Sequence, residues 1–212
     1  MLLNLEAFRA TLLAAGPYPH LVVPGFISPE AVNEAIRDFP RLDMAGLFLP
    51  DAAESGPAFA SLLEAMESAA LKQAVGDKLG LDLSGRPTLV TVRARSQERD
   101  GRIHADSKFK LATLLLYLNE PWASDGGRLR ILRSGVNIDD YAAEVPPAGG
   151  TLVCFKVQAD SWHGHKPFIG PRRYIMVNYC RDEDVRDAEM ARHRLSGQVK
   201  KIKRVFGFGA AA

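Results

Sequence analysis

Leu111-Ala112-Thr113-Leu114-Leu115-Leu116-Tyr117-Leu118 is an almost unbroken apolar run. A strand with one wet face alternates apolar and polar residues, whereas a strand covered on both faces does not need to. The run therefore reads as a central strand of a sheet that is packed on both sides. Working outward, Thr88–Arg95 alternates, with Leu89, Val90 and Val92 set against Thr91, Arg93 and Arg95, and is β-like. Gly127–Leu132, Thr151–Val157 and Arg173–Cys180 read as further strands, and the pairs Gly126-Gly127 and Gly149-Gly150 open two of these.

Upstream of Pro87 the pattern changes to helix. Asn4 can cap a helix whose Leu5, Phe8, Leu12 and Leu13 share a face. His20–Pro24 is a short extended piece. Ser28-Pro29-Glu30 is a helix start, with Ser as cap, Pro in the first position and Glu in the first turn, and the helix stops before Pro40. Residues 41–57 form a long loop with a short turn of helix. Residues 58–79 carry Leu62, Leu63, Met66, Leu71 and Val75 at helical spacing, and Gly80 terminates them. Helical composition returns from Asp182 to about Leu195. The expected class is mainly β with flanking helices, α+β: a sandwich or jelly roll packed against N-terminal helices. One domain is expected over 1–212, with a helical part at 1–85, a strand core at 86–181, and a C-terminal helix and basic tail at 182–212.

Composition fits an ordinary globular chain: of 212 residues, 47% are hydrophobic and 25% charged. The net charge of +2 gives no case for nucleic acid or a membrane surface as partner. Lys200, Lys201, Lys203 and Arg204 cluster near the C-terminus and read as a solvated helix face or tail. Cys154 and Cys180 sit in apolar strand-like runs, as small core residues suited to a reducing compartment. Glu6 and Arg9 interrupt the first apolar stretch, so it is not read as a signal peptide, and no run approaches the roughly 20 apolar residues of a membrane span. Cytoplasm is the expected compartment.

The residues that carry chemistry fall among the strands. In Arg102-Ile103-His104-Ala105-Asp106 a His and a carboxylate are two apart, which puts both on one side of an extended chain. His163 follows 57 residues beyond Asp106, near the penultimate strand. Two imidazoles and one carboxylate on one face of an octahedral ion leave positions open, the arrangement of non-haem iron(II) oxygenases. Zinc can also use such ligands. Arg172-Arg173 opens the last strand, and a guanidinium fork there suits the far carboxylate of a dicarboxylate held at the metal.

The stretch from about Arg93 to Tyr179 resembles the core of the 2-oxoglutarate/Fe(II)-dependent dioxygenases, in particular the prolyl-hydroxylase-like branch. The resemblance rests on five motifs in order. They are His104-Ala-Asp106, Leu111 to Asn119 with its Tyr117-Leu-Asn119 ending, Gly126-Gly127-Arg-Leu-Arg-Ile131, Pro147 to Phe155, and His163 to Tyr174. It implies a double-stranded β-helix core with His104, Asp106 and His163 as the metal and catalytic residues. Arg173 best matches the family's arginine for the distal carboxylate of 2-oxoglutarate, being followed by Tyr174 and, six residues on, Tyr179. Arg172 is the alternative, and Tyr117 matches a tyrosine that bonds the same carboxylate.

The implied cofactors are Fe(II), 2-oxoglutarate as cosubstrate and O2, with ascorbate stimulating turnover and succinate and CO2 released. The intact Asp106 favours hydroxylation, because halogenating relatives lack it. The implied partner is a small-molecule or amino-acid/peptidyl substrate, and no oligomeric state is implied. Two alternatives remain: a nucleic-acid demethylating dioxygenase, for which the basic stripe and a second arginine are missing, and a non-catalytic binding module. Arg93, Arg95 and Arg130 are candidates for the pocket rim and suggest an anionic or polar substrate. His165 is read as structural and Trp162 as core. Substrate contacts are expected from the N-terminal helices and from the loops around 41–57, 96–103 and 133–146.

Overall fold

Most local signals in the first third become elements of the computed structural model, which describes residues 2–205, with side chains through 195. The first helix, however, ends at Ala10 and leaves Leu12 and Leu13 beyond it and exposed rather than on its buried face. The side-chain oxygen of Asn4 accepts the Ala7 amide at 2.9 Å and starts α1 (Leu5–Ala10), which buries Leu5 and Phe8. Strand β1 (His20–Val23) follows. Ser28 caps α2 (Pro29–Arg37) by accepting the Ala31 amide at 3.2 Å, and a 3-10 turn spans Pro50–Ala52.

The single helix expected over 58–79 is two. α3 (Pro57–Met66) ends, Ser68 is extended at φ −61° and ψ 146°, and its hydroxyl caps α4 (Ala69–Leu79) through the Leu71 amide. Serine competes for backbone donors in this way, which breaks a helix in mid-pattern without disturbing its apolar spacing. Gly80 ends α4 in the left-handed region at φ 62°, a conformation open to glycine.

The strands are β2 (Thr88–Ser96), β3 (Lys110–Tyr117), β4 (Leu129–Leu132), β5 (Tyr141–Val145), β6 (Leu152–Lys156), β7 (His163–Gly164) and β8 (Gly170–Cys180), and helix α5 (Glu183–Val205) closes the described chain. β5 falls inside the expected 133–146 loop. It is an edge strand against β4, largely half-exposed, and so lacks the apolar alternation that marks a strand in sequence.

Two antiparallel sheets form, in the orders β1-β6-β3-β8-β2 and β5-β4-β7. Leu115, Tyr117, Val153, Phe155 and Tyr174 of the larger sheet meet Leu129, Ile131 and Val145 of the smaller one. On its other face Leu114, Leu116, Leu152, Cys154, Ile175, Val177 and Tyr179 pack with the buried faces of α1 to α4. The larger sheet is thus covered on both sides, which is why β3 needs no polar face. The sandwich between the sheets is the expected jelly-roll core with helices outside. α5 brings Met190 against Leu89 and Cys180. Both cysteines are free and buried, in the core positions their surroundings predicted. The side chains of Lys200, Lys201, Lys203 and Arg204 lie outside the described residues. Among the described residues no helix is long and apolar enough to cross a membrane.

Leu114, fully buried between sheet and helices, tests this two-sided packing. Leu114→Ala is expected to cost about 2–5 kcal/mol of stability, the sum of lost burial and the cavity left behind. A lowered denaturant midpoint at unchanged m-value would show it.

Candidate active site

His104 and His163 are joined through their own backbones. The His104 amide donates to the His163 carbonyl at 3.0 Å and the His163 amide returns the bond at 2.9 Å, extending the smaller sheet beyond β7. The imidazoles are thereby held with ring centroids 4.3 Å apart. Asp106 lies two residues on, and one ligand atom from each of His104, Asp106 and His163 falls within 4.8 Å of the others.

Each imidazole is oriented in the same way. Nδ1 of His104 lies 2.8 Å from the Arg102 carbonyl and Nδ1 of His163 lies 2.9 Å from the Ser161 carbonyl. A carbonyl only accepts, so both Nδ1 atoms carry the hydrogen and both Nε2 atoms keep a lone pair for a ligand. Burial, helped by His104, pushes the His163 pKa down to about 4, which keeps that ring in its neutral, ligating form. Burial alone would raise the Asp106 pKa. Lys110, His163 and a hydrogen bond from Thr113 outweigh it, so the carboxyl is held below its ordinary value and stays ionised. Two imidazoles with Nε2 turned away from their backbone partners and one carboxylate, with His104 exposed on the open side, fit an iron(II) ion that must also accept other ligands.

The three residues share a cavity of about 170 Å³ with Arg172, Tyr174 and His165. Arg172 is 3% exposed. Its Nε donates to the Gly127 carbonyl at 2.8 Å, a terminal nitrogen lies 3.4 Å from the Tyr117 hydroxyl, and the guanidinium is 5.4 Å from the ring centres of Tyr117 and Tyr174. Gly127 presents that carbonyl from a left-handed backbone at φ 77°, and a Cβ there would come within 2.8 Å of Trp122, which accounts for glycine at this position. Burial pushes the Tyr117 pKa up to about 12 although Arg172 opposes it, so the hydroxyl remains a donor. Among the described residues no carboxylate pairs with Arg172. Unpaired buried guanidinium is costly, and an anionic ligand in the cavity would relieve the cost.

The expectation that Arg173 faces the cavity is corrected: the strand register is off by one. Arg172, Tyr174 and Met176 line the cavity, while Ile175, Val177 and Tyr179 pack toward the helices. Arg173 falls on the latter side and emerges in a surface groove beside Ile36, Phe39 and Pro40. Asn119 fixes this register, donating to the Arg173 carbonyl at 3.0 Å and accepting the Arg173 amide at 2.6 Å. The usable signal was the apolar parity of Ile175, Val177 and Tyr179, which claims the helix-covered face and leaves Arg172 and Asn178 for the interior.

The other basic candidates separate. Arg93 lines the cavity, paired with Asp100. Arg95 would follow it by alternation, but β2 shifts register by one residue between Arg93 and Arg95, and Arg95 joins Arg173 in the outer groove. Arg130 is engaged outside the cavity by Glu144 at 2.6 Å and Asp139 at 2.5 Å. His165 is buried in the cavity wall, its Nδ1 2.8 Å from the Lys166 carbonyl. Trp162 is half-buried against Gly135 rather than in the core. Lys110, Thr113, Asn119 and Asn178 were not anticipated, although Lys110 stands four residues past Asp106 and Thr113 shares its strand face with Tyr117.

Residues 93–181, which carry all of these side chains, match the sequence model of the 2OG-Fe(II) oxygenase superfamily. They form a 2OG-Fe(II) oxygenase domain. The domain is accordingly that of an Fe(II)- and 2-oxoglutarate-dependent dioxygenase, with O2 as oxidant. No curated protein matches the chain in sequence. Among solved structures the oxygenase is similar to a Pseudomonas putida prolyl-4-hydroxylase, at 22% identity and TM-score 0.53, over 84% of this chain and 92% of that one. It is also similar to HygX from Streptomyces hygroscopicus, with nickel and 2-oxoglutarate bound, at 17% identity and TM-score 0.51, over 77% and 82%. A viral collagen prolyl hydroxylase from Paramecium Bursaria Chlorella virus-1 matches at 16% identity and TM-score 0.50, over 76% and 87%. At these identities the likeness is one of fold.

Proposed function

We propose that the oxygenase holds Fe(II) on His104, Asp106 and His163, holds the distal carboxylate of 2-oxoglutarate on Arg172, and hydroxylates a C–H bond of a small-molecule or amino-acid/peptidyl substrate. The observation that carries this reading is the buried Arg172, without a carboxylate partner among the described residues, in one cavity with His104, Asp106 and His163. Bound iron supplies the redox chemistry by which O2 and 2-oxoglutarate yield succinate and CO2 while the substrate is oxidised. Arg172 offers a fork to one end of the dicarboxylate, and Tyr117 adds a hydroxyl donor beside it. Leu115, Leu129 and Met176 line the same cavity and limit bulk water at the reacting atoms.

Purified protein given Fe(II), ascorbate and 2-oxoglutarate is expected to form succinate slowly without its substrate. Zinc should suppress this, because it can take the same ligands and has no redox chemistry. Silence from iron-replete protein under air would count against the reading.

A further inference from the structure

Asp106 is held from behind by a buried pair of side chains that the metal reading does not use. Thr113 Oγ1 lies 2.5 Å from Asp106 Oδ2, and Asn178 Nδ2 lies 2.8 Å from the same Thr113 oxygen. Thr113 is 2% exposed and Asn178 fully buried. An ionised carboxylate only accepts, so the Thr113 hydrogen must point at Asp106. The Asn178 amide must then present NH2 to Thr113, because its carbonyl end would compete for that one hydrogen. The direction of the relay is fixed: Asn178 N–H to Thr113 oxygen, and Thr113 O–H to Asp106.

The arrangement carries a cost. Asn178 Oδ1 is buried with no hydrogen-bond partner among the described residues, and an orphaned acceptor in a core is destabilising. Leucine would fill similar space without that penalty. On the other oxygen, Oδ1, the carboxylate accepts the Lys110 ammonium, at 2.9 Å, and no other donor among the described residues; that side chain can move aside or share the oxygen.

From this geometry we infer that Thr113 and Asn178 are positioning residues for the metal. They pin Oδ2 of Asp106 through a one-way relay and thereby turn Oδ1 toward His104 and His163. The inference rests on the proposed use of Asp106 as a ligand. Partners behind a metal ligand typically contribute 10–100-fold in affinity, because they fix its orientation and charge.

The test is calorimetric titration of Fe(II) under nitrogen, with a thermal melt of each metal-free protein. Thr113→Val keeps the shape and removes the hydroxyl, and should weaken Fe(II) binding about 10–100-fold. Thr113→Ser should restore binding to within about threefold, because it returns the donor. Asn178→Leu removes the relay's first donor together with the orphaned acceptor. It should melt at or above the wild-type temperature while binding Fe(II) several-fold more weakly, two directions that a purely structural role would not combine. Wild-type affinity in folded Thr113→Val overturns the relay. Should that variant not fold, wild-type affinity in Asn178→Leu overturns it equally. If the wild-type protein itself takes up no Fe(II), the ligand assignment fails instead, and the two failures are told apart in one experiment.

Discussion

Single replacement of His104, Asp106 or His163 by alanine is expected to abolish stoichiometric Fe(II) binding and, with it, succinate formation. In the proposed site each residue supplies one of three protein ligand atoms, so its loss should exceed the roughly 10–100-fold typical of residues behind the ligands. The fold should survive. His104 is exposed, and a surface change of this kind usually moves stability by no more than about 0.5 kcal/mol. Asp106→Ala leaves the Thr113 hydroxyl without its acceptor and should cost more, about 1–3 kcal/mol. Anaerobic iron titration alongside circular dichroism reads both quantities. A folded variant that still binds one iron with wild-type affinity would remove its residue from the ligand set.

The second large effect is expected at Arg172. Truncating one partner of a buried, hydrogen-bonded charge pair costs about 2–5 kcal/mol, so Arg172→Ala should weaken 2-oxoglutarate binding about 30-fold or more. Arg172→Lys should recover only part, because a point charge cannot make the two-pronged contact and would not reach the Gly127 carbonyl and the carboxylate in the same way. Tyr117→Phe should cost about 1.5–3 kcal/mol, as expected for one hydrogen bond to a charged group. Arg173→Ala is the control, and should change affinity less than about threefold because its side chain lies in the outer groove. The visible charge-transfer band of the iron complex under nitrogen measures all four. Should Arg173→Ala be the damaging change, the inward face of β8 would have to be reassigned.

Much of this could be read from the residues because local chemistry determines it. Asn4 and Ser28 cap the helices they were expected to cap, and Gly80 ends its helix, since a cap is decided within three or four residues. The two-sided burial of β3 followed from its unbroken apolar run, and His104, Asp106 and His163 converge as spacing and family resemblance together implied. What stayed hidden depends on register. Arg172 and Arg173 are chemically identical neighbours, and the choice between them is made by the apolar parity of Ile175, Val177 and Tyr179 together with the Asn119 clamp on Arg173, 54 residues away in sequence. Arg95 shares its apparent parity with Arg93, but the one-residue shift between them sends it elsewhere. Thr113 and Asn178 looked like ordinary strand residues because their meaning lies in a contact spanning 65 positions.

The paired amide bonds between His104 and His163 have a consequence for how the site meets its ion. In small zinc domains the ligands are gathered by the metal itself, so uptake and chain ordering are one event. Here the main chain has already brought the two imidazoles together, and the entropy of assembling them was lost when the sheets closed. An arriving ion finds the two imidazoles already side by side, so the chain need not fold around it, although binding still adds stability by mass action. Discrimination among divalent ions then falls to how well each one's preferred bond lengths and angles suit a fixed frame, rather than to how strongly each can pull loose ligands inward. Loss of the ion likewise leaves the frame standing, ready to be refilled without refolding.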